Sequence, residues 1–431
     1  MNNISTNKNS EYSEKITVIS LARDVQTSEV MVTLQSEYRG KTVIKTVSRD
    51  TITVSGLREL SKYGFPTLTK TDIDEFLSYF TENESDFPMV NIYQKVGWHE
   101  IGGKDYFLHR KPLADGKAKN GIYKGKLDLS RKGSIDDVII FFDNNLREAI
   151  GLQTACAVSL ASAIVGRVKN KDLRFIFHIE GTSTSGKTTT LKLAGSLWGN
   201  PQIMPNGVVK NWNITGNKLV QSAGGNNGVL ICLDELAMSN TDNTQLTYLL
   251  TGGNDKQRMT NDDSSDDSFN TAFMSTGEIQ FRNSNYGGIT VRLFEVKNYN
   301  YTKTKELADT INDFASEHYG AVGFEFAKVL SDISDDTLTE KLDEFAKRVE
   351  KRIEMHAQKQ GKAISPLFSR MADKIAAVAL AASIAKSKLG IDFDTSSIVD
   401  FLICQTTLLE MGQEQSVEAA DKFLEEYAKN K

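Results

Sequence analysis

Arg174-Phe-Ile-Phe-His-Ile-Glu180 runs directly into Gly181-Thr-Ser-Thr-Ser-Gly-Lys-Thr188, and the fold of the chain turns on this stretch. An apolar, strand-like run delivers the backbone into the pattern GxxxxGK[ST], and a helix is expected to follow over residues 189–197. Glycines let the main chain wrap closely around an anion, with its N–H groups pointing inward. Gly181, Thr182, Ser183, Thr184, Ser185, Gly186, Lys187, Thr188 and Thr189 are therefore the expected nucleotide-binding residues. In such a loop the lysine, here Lys187, reaches the β and γ phosphates. The hydroxyl of Thr188 holds Mg²⁺, and the helix N-terminus adds a favourable dipole.

This reading demands a second strand that ends in an acid. Val229-Leu-Ile-Cys-Leu-Asp234-Glu235 supplies it, with Asp234 47 residues after Lys187. Asp234 is expected to bind Mg²⁺ through water, and Glu235 to polarise an attacking water, which makes hydrolysis its natural role. A third run, Thr271-Ala-Phe-Met-Ser-Thr-Gly-Glu278, ends in hydroxyls. Either Ser275 or Thr276 could sense the γ phosphate, or simply cap the strand. Then Gly287-Gly288-Ile-Thr-Val-Arg292 leads into a fourth strand at 293–296. Arg292 at its head would project into a neighbouring subunit's nucleotide, or form a surface ion pair.

Around this core the 431 residues suggest two or three domains. The 51 Lys+Arg and 56 Asp+Glu give a net charge of −5, and 39% hydrophobic and 25% charged residues are ordinary for a soluble globular chain. This excludes a wholly disordered or fibrous protein and argues against a basic nucleic-acid coat, but not against a local basic channel. Cys156, Cys232 and Cys404 stand far apart, so neither a disulfide framework nor a zinc module is expected, and a reducing cytoplasm fits. The first residues are polar and carry no signal-peptide core. The apolar runs 152–165 and 375–385 are too short to span a bilayer, so no membrane partner is expected.

The fold class expected is α/β: a β-rich α+β region over 1–134, an ATPase core over 135–302, and a helical lid with C-terminal helices over 303–431. Within the first region, 16–54 reads as strands. A helix over 68–82 is capped by Thr71 with Asp74 three residues on, and 92–109 forms a hairpin turned at Gly102-Gly103. Residues 110–132 concentrate Arg110, Lys111, Lys117, Lys119, Lys124, Lys126, Arg131 and Lys132 against Asp115 and Asp128. With Tyr106, Phe107 and Tyr123 nearby, this run is a candidate DNA-backbone surface with aromatics to stack on unpaired bases, and otherwise a solvated lysine-rich loop. Trp98-His99 reads as a packed aromatic beside a hairpin, and His178 as a core histidine. The helix over 337–358 carries an apolar stripe of Leu338, Leu342, Phe345, Val349 and Ile353.

The order of nucleotide loop, acid–acid strand, polar-ended strand, arginine and helices resembles an AAA+ ATPase. More narrowly, residues 90–385 resemble the MCM-like, self-loading replicative helicases of staphylococcal pathogenicity islands and resistance cassettes. The residues that carry this are Val96-Gly-Trp-His99, Gly181–Thr188, Trp212-Asn-Ile-Thr215, Leu233-Asp-Glu-Leu236, Tyr248–Arg258, Ser275–Glu278, Val291-Arg292 and Ser369–Asp373. The resemblance implies ATP and Mg²⁺ as cofactors, DNA as partner (a single strand or a fork), a homo-oligomeric ring, most naturally a hexamer, and 3′→5′ movement. It makes Arg292 an arginine finger and Arg370 a second sensor. It places a pore hairpin between Asp234 and Ser275, where Lys256 and Arg258 would contact the DNA backbone. The acids Asp262, Asp263, Asp266 and Asp267 depart from that pattern, and a solvated loop is the alternative. Relatives carry a C-terminal winged-helix part that is not recognisable before Lys431, so origin recognition is not expected of these residues. Three other functions fit less well: a nucleotide-regulated DNA-binding initiator or loader that does not unwind, the helicase half of a primase–helicase pair with a primase or initiator partner, and a small-molecule kinase.

Overall fold

The computed structural model describes residues 15–253, 268–281, 287–359 and 366–408, without the side chains of 287, 290, 366–369 and 405–408. The chain divides into two compact units: Met1–Gln94 with Asn120–Lys124, and Lys95–Lys119 with Gly125–Lys431.

In the first unit β1 (Thr17–Asp24), β2 (Val30–Tyr38) and β3 (Lys41–Ser48) form an antiparallel meander. β4 (Met89–Tyr93) and β9 (Ile122–Tyr123) extend it in parallel, giving the order β3-β2-β1-β4-β9. Alternation puts Val18, Leu21, Val32, Leu34 and Val47 on one face. That face is covered by α1 (Val54–Glu59) and α2 (Lys70–Asn83), whose Ile73, Phe76 and Phe80 are buried. The α2 cap differs from expectation. The pattern T-x-x-D occurs twice here, two residues apart, and the chain uses the first copy. Thr69 Oγ1 accepts from the Asp72 amide at 3.2 Å, and the Asp72 carboxylate accepts from the Thr69 amide at 2.7 Å. Burial of Ile73 within the first turn fixes that start. Lys15 first, then Thr69, hold the Asp72 carboxyl down to about 2.

The second unit is built on a parallel five-stranded sheet, β11 (Val209–Asn211), β13 (Ile231–Asp234), β14 (Phe273–Gly277), β10 (Ile176–Glu180) and β15 (Leu293–Lys297), in that spatial order. Near-continuous apolar strands mark a sheet buried on both faces. One face is covered by α6 (Gly216–Ala223), α7 (Asn243–Gly252) and α8 (Gly287–Thr290), around Trp212, Phe269, Phe273 and Phe281. α5 (Lys187–Ser196) lies against β13 and β14 on the other face, backed by α4 (Ile150–Arg167). The apolar run expected to be too short for a bilayer extends to the 18 residues of α4, which alone among the described residues is long and apolar enough to cross a membrane, and 89% of it is buried within the structure. A helix apolar all round is what a core position requires.

A smaller sheet, β12 (Asn226–Asn227), β5 (Val96–Ile101), β6 (Lys104–Leu108), β7 (Pro112–Ala114) and β8 (Lys117–Ala118), clamps onto this core. Its β5–β6 hairpin turns at Gly102-Gly103 as expected. Trp98 is buried and donates from Nε1 to Ala163 O at 2.8 Å. Phe107 is fully buried between Trp98 and Trp198, so it cannot stack on bases. α3 (Ile135–Asn145), α9 (Lys305–Glu317), α10 (Val322–Leu330), α11 (Asp335–Lys359), α12 (Pro366–Ile384) and α13 (Thr395–Leu408) complete the unit. The buried stripe of α11 runs through Ala346 rather than Phe345, which sits on its shoulder under Arg348. Cys156, Cys232 and Cys404 are free and buried, and burial pushes their thiols up, Cys156 to about 12.

Candidate nucleotide site

β10 ends at Glu180 and the chain turns at once into the loop that opens α5. The Gly181 amide donates to Gly277 O at 3.2 Å, which ties the loop's start to β14. Its end is tied to the segment after β15, where the Tyr301 amide donates to Ser185 O at 3.1 Å. Gly186 has φ +82°, and a Cβ there would lie 2.7 Å from Thr302 Cγ2. Only glycine meets both demands. The Lys187 ammonium donates to Gly181 O and Thr182 O, each at 2.7 Å. Thr189, nearly buried on α5, accepts from Asn312 Nδ2 of α9 at 3.1 Å.

β14 lies between β10 and β13, so its carboxyl end stands between the loop and the acids. Thr188 Oγ1 donates to the Asp234 carboxylate at 3.1–3.2 Å. The Thr276 hydroxyl donates to Asp234 Oδ1, and its oxygen accepts from the Glu235 amide at 3.2 Å. Glu235 itself has φ +64°, in the left-handed region. For a non-glycine residue that conformation costs about 1–2 kcal/mol and persists only where surroundings impose it.

Ser275 points to the opposite face of β14 and is fully buried. Trp212 Nε1 donates to its Oγ at 2.9 Å. His178 Nε2 faces Ile279 O at 3.1 Å and must donate there, so Nδ1 accepts from the Ser275 hydroxyl at 3.0 Å. This chain of three donors is closed. Burial holds the His178 imidazole down at about 4, neutral as the geometry requires.

Arg292 sits elsewhere. Ile176 pairs with Leu293, so Arg292 marks the amino edge of the sheet, while the loop leaves the carboxyl edge at Gly181. Five residues of strand separate the two by about 16 Å. Its Nη1 donates to Gly288 O at 2.8 Å, and the guanidinium rests 5.6 Å from the Tyr248 ring. Lys374 of α12 reaches the same edge, donating to Asp172 O at 2.5 Å. Burial and then the neighbouring charges, Arg292 among them, set its ammonium at about 8. Arg370 is exposed one helical turn upstream. The sheet therefore keeps Arg292 away from the Gly181–Thr188 loop of the same chain.

Lys256 and Arg258, with Asp262, Asp263, Asp266 and Asp267, lie outside the described residues. Lys124 and Lys126 are both exposed, in the first and second unit respectively. Within the second unit several members of the basic run have partners of their own. Arg110 lies 3.6 Å over the Phe324 ring, Lys119 pairs with Asp115 at 3.6 Å, and Lys132 pairs with Glu317 at 2.5 Å. Tyr123 packs against Tyr93. Sequence reasoning missed Asn312, Tyr301 and Thr302, which approach the loop from more than 100 residues away and carry no local signal. It also missed the Glu235 conformation. Among the described residues no cluster of His, Cys, Asp and Glu suits a metal held by protein alone.

The fold and site together define a mixed α/β protein in which a glycine-rich strand–loop–helix faces a strand ending in two acids. The family described as "Domain of unknown function (DUF927)" matches residues 2–265, and the chain belongs to it. No curated protein matches the sequence. A solved structure titled "SCCmec type IV Cch - active helicase" is similar at a TM-score of 0.72 and 23% identity, over 96% of this chain and 78% of that one. Likeness at that identity is likeness of fold. A structure of the "NrS-1 C terminal region" covers 93% of this chain and 87% of its own, at 13% identity and a TM-score of 0.30, too low to bear on the reading.

Proposed function

We propose that this chain is an ATP-dependent DNA helicase of a mobile genetic element, with an MCM-like AAA+ core over 135–302, a helical lid with C-terminal helices over 303–431, and DNA binding in the α+β region within 1–134. One observation carries the reading: Thr188, Asp234, Thr276 and Glu235 converge at the carboxyl edge of the parallel sheet, beside the Gly181–Thr188 loop. The similar fold of a structure titled as an active helicase supports it.

The Thr188 hydroxyl and Asp234 carboxylate are hard oxygen donors of the kind Mg²⁺ takes, and they would hold the ion, which supplies charge neutralisation to the phosphates. The loop amides and Lys187 bind the phosphates. Glu235 orients and activates the attacking water. Thr276 positions Glu235 through its amide and Asp234 through its carboxylate. Arg292, at the amino edge of the sheet, acts on a neighbouring subunit's nucleotide in a ring, proposed as a hexamer that self-loads and moves 3′→5′, and Arg370 on α12 is the proposed second sensor. Lys256, Arg258, Lys124 and Lys126 are the proposed DNA contacts.

The test is ATP hydrolysis and forked-duplex unwinding by the wild type beside Glu235→Gln. Unwinding that is lost in a variant still able to bind ATP supports the proposal. DNA-stimulated hydrolysis without unwinding shifts the reading to a loader or switch, or to a helicase half awaiting a primase partner. ATP binding without hydrolysis, with or without DNA, overturns it.

A further inference from the structure

The β2–β3 hairpin of the first unit carries features that the nucleotide site does not use. Residues 38–63 hold six cations, Arg39, Lys41, Lys45, Arg49, Arg58 and Lys62, against two acids, Asp50 and Glu59, in a chain that is acidic overall. Two tyrosines stand among them half in solvent, Tyr38 at 38% and Tyr63 at 52% exposure. Each carries a cation on its ring: Arg39 lies 5.3 Å from the centre of Tyr38, and Lys45 lies 4.0 Å from that of Tyr63.

The register makes one surface of these groups. Tyr38 pairs with Lys41 and Leu34 with Lys45, so Tyr38, Lys41 and Lys45 share the helix-facing side of the sheet. Tyr63 ends a short 3₁₀ turn over Leu60–Tyr63, and the next residue, Gly64, lies against Val43, between the two lysines. Among the described residues no carboxylate comes within salt-bridge distance of Arg39, Lys41 or Lys45, whereas Arg49 is tied to Glu84 and Lys62 to Glu59. β3 is an edge strand, and lysines on an edge deter pairing with other chains. That accounts for Lys41 and Lys45 but not for two solvent-facing aromatics beside them.

We propose that Tyr38, Arg39, Lys41, Lys45 and Tyr63 form a binding surface for single-stranded nucleic acid, without sequence preference. Lysine and arginine neutralise phosphates, and a tyrosine ring with one open face stacks an unpaired base of any identity. A duplex, its bases already stacked, offers the tyrosines nothing. The inference rests on the proposed function only for the choice of polymer.

The experiment is fluorescence anisotropy of a labelled thirty-nucleotide oligo-dT with the full chain, without ATP. Tyr38→Ala/Tyr63→Ala should weaken binding about fivefold or more per tyrosine, and the double Phe variant should bind like wild type. Lys41→Ala/Lys45→Ala should flatten the logarithmic salt dependence by about 0.7 for each phosphate no longer neutralised. Circular dichroism and urea unfolding of each variant report that the first unit, which carries these residues, is folded. If the variants bind like wild type, the surface is refuted and the helicase reading stands. If duplex of equal length binds as tightly and is weakened equally, the stacking role is refuted. If wild type binds no oligonucleotide, both proposals fall.

Discussion

Thr276→Val and Ser275→Ala, compared side by side, separate two adjacent hydroxyls that the sequence leaves equivalent. Valine keeps the shape of Thr276 but removes the bond donated to Asp234 and the one accepted from the Glu235 amide. A hydrogen bond to a charged group is worth about 1.5–3 kcal/mol, so the expected loss of stability is of that order. The greater effect is on chemistry. Glu235 is held in a left-handed conformation that this bond helps impose. Losing one oriented group at such a site costs about 10²–10³ in turnover, or ~2.7–4 kcal/mol. Ser275→Ala does the reverse. It leaves Trp212 Nε1 and His178 Nδ1 without partners in the buried core, at about 1–3 kcal/mol each, while turnover stays within about threefold. Urea unfolding and steady-state ATP hydrolysis read the two quantities. A Ser275→Ala enzyme crippled in turnover, with Thr276→Val close to wild type, would falsify the assignment of the two faces of β14.

The same logic extends to three other perturbations. At position 235, glycine should be more stable than alanine by about 1 kcal/mol, because only glycine takes φ +64° without strain, and equal urea midpoints would count against that geometry. Gly97→Ala should cost more than about 2 kcal/mol: its φ is +80° and its Cβ would lie 2.1 Å from Asn227 O, so a variant that melts like wild type refutes the clamp of β5 on β12. Burial sets His109 at about 3 and His178 at about 4, below the unfolded value near 6.5. Between those limits the unfolded chain binds more protons, so stability falls as pH falls. Going from pH 7 to 5 should cost about 2 kcal/mol per histidine, and His178→Gln should lose its share of that slope in urea titrations.

The loop and the acids were legible because each is a contiguous run in which residue type and spacing express the chemistry directly. Gly181–Thr188 and Asp234-Glu235 need no partner to be recognised. What the sequence left open depends on pairing. Ser275 and Thr276 are neighbours with the same functional group, and only the pleat of β14, between β10 and β13, sends one to the acids and the other to Trp212 and His178. Thr69 and Thr71 both begin a T-x-x-D pattern, and burial of Ile73 decides between them. The cations of 110–132 looked alike in sequence, yet Glu317, which pairs with Lys132, and Phe324, whose ring lies under Arg110, are some 200 residues on. Composition shifts near residue 134, whereas the compact units part after Gln94, because the strands of 96–118 pair with β12 and pack on Trp198. Arg292 was legible as an arginine heading a strand. That it faces away from its own loop follows only from all the core strands running parallel.

The bracing of the loop by Tyr301 and Thr302 also sets an order in time. Thr188 leaves the ribosome 114 residues before Thr302 does. At ~5–20 residues per second, the loop exists for about 6–23 s of synthesis without the strand and segment that hold its far end. Until Gly277 of β14 is made, β10 lacks both of its neighbours, β14 and β15, and the nascent chain carries an unpaired apolar strand. The brace on the loop's far end is thus completed late, once the segment after β15 docks, and a chain stalled before residue 300 would carry the motif without it.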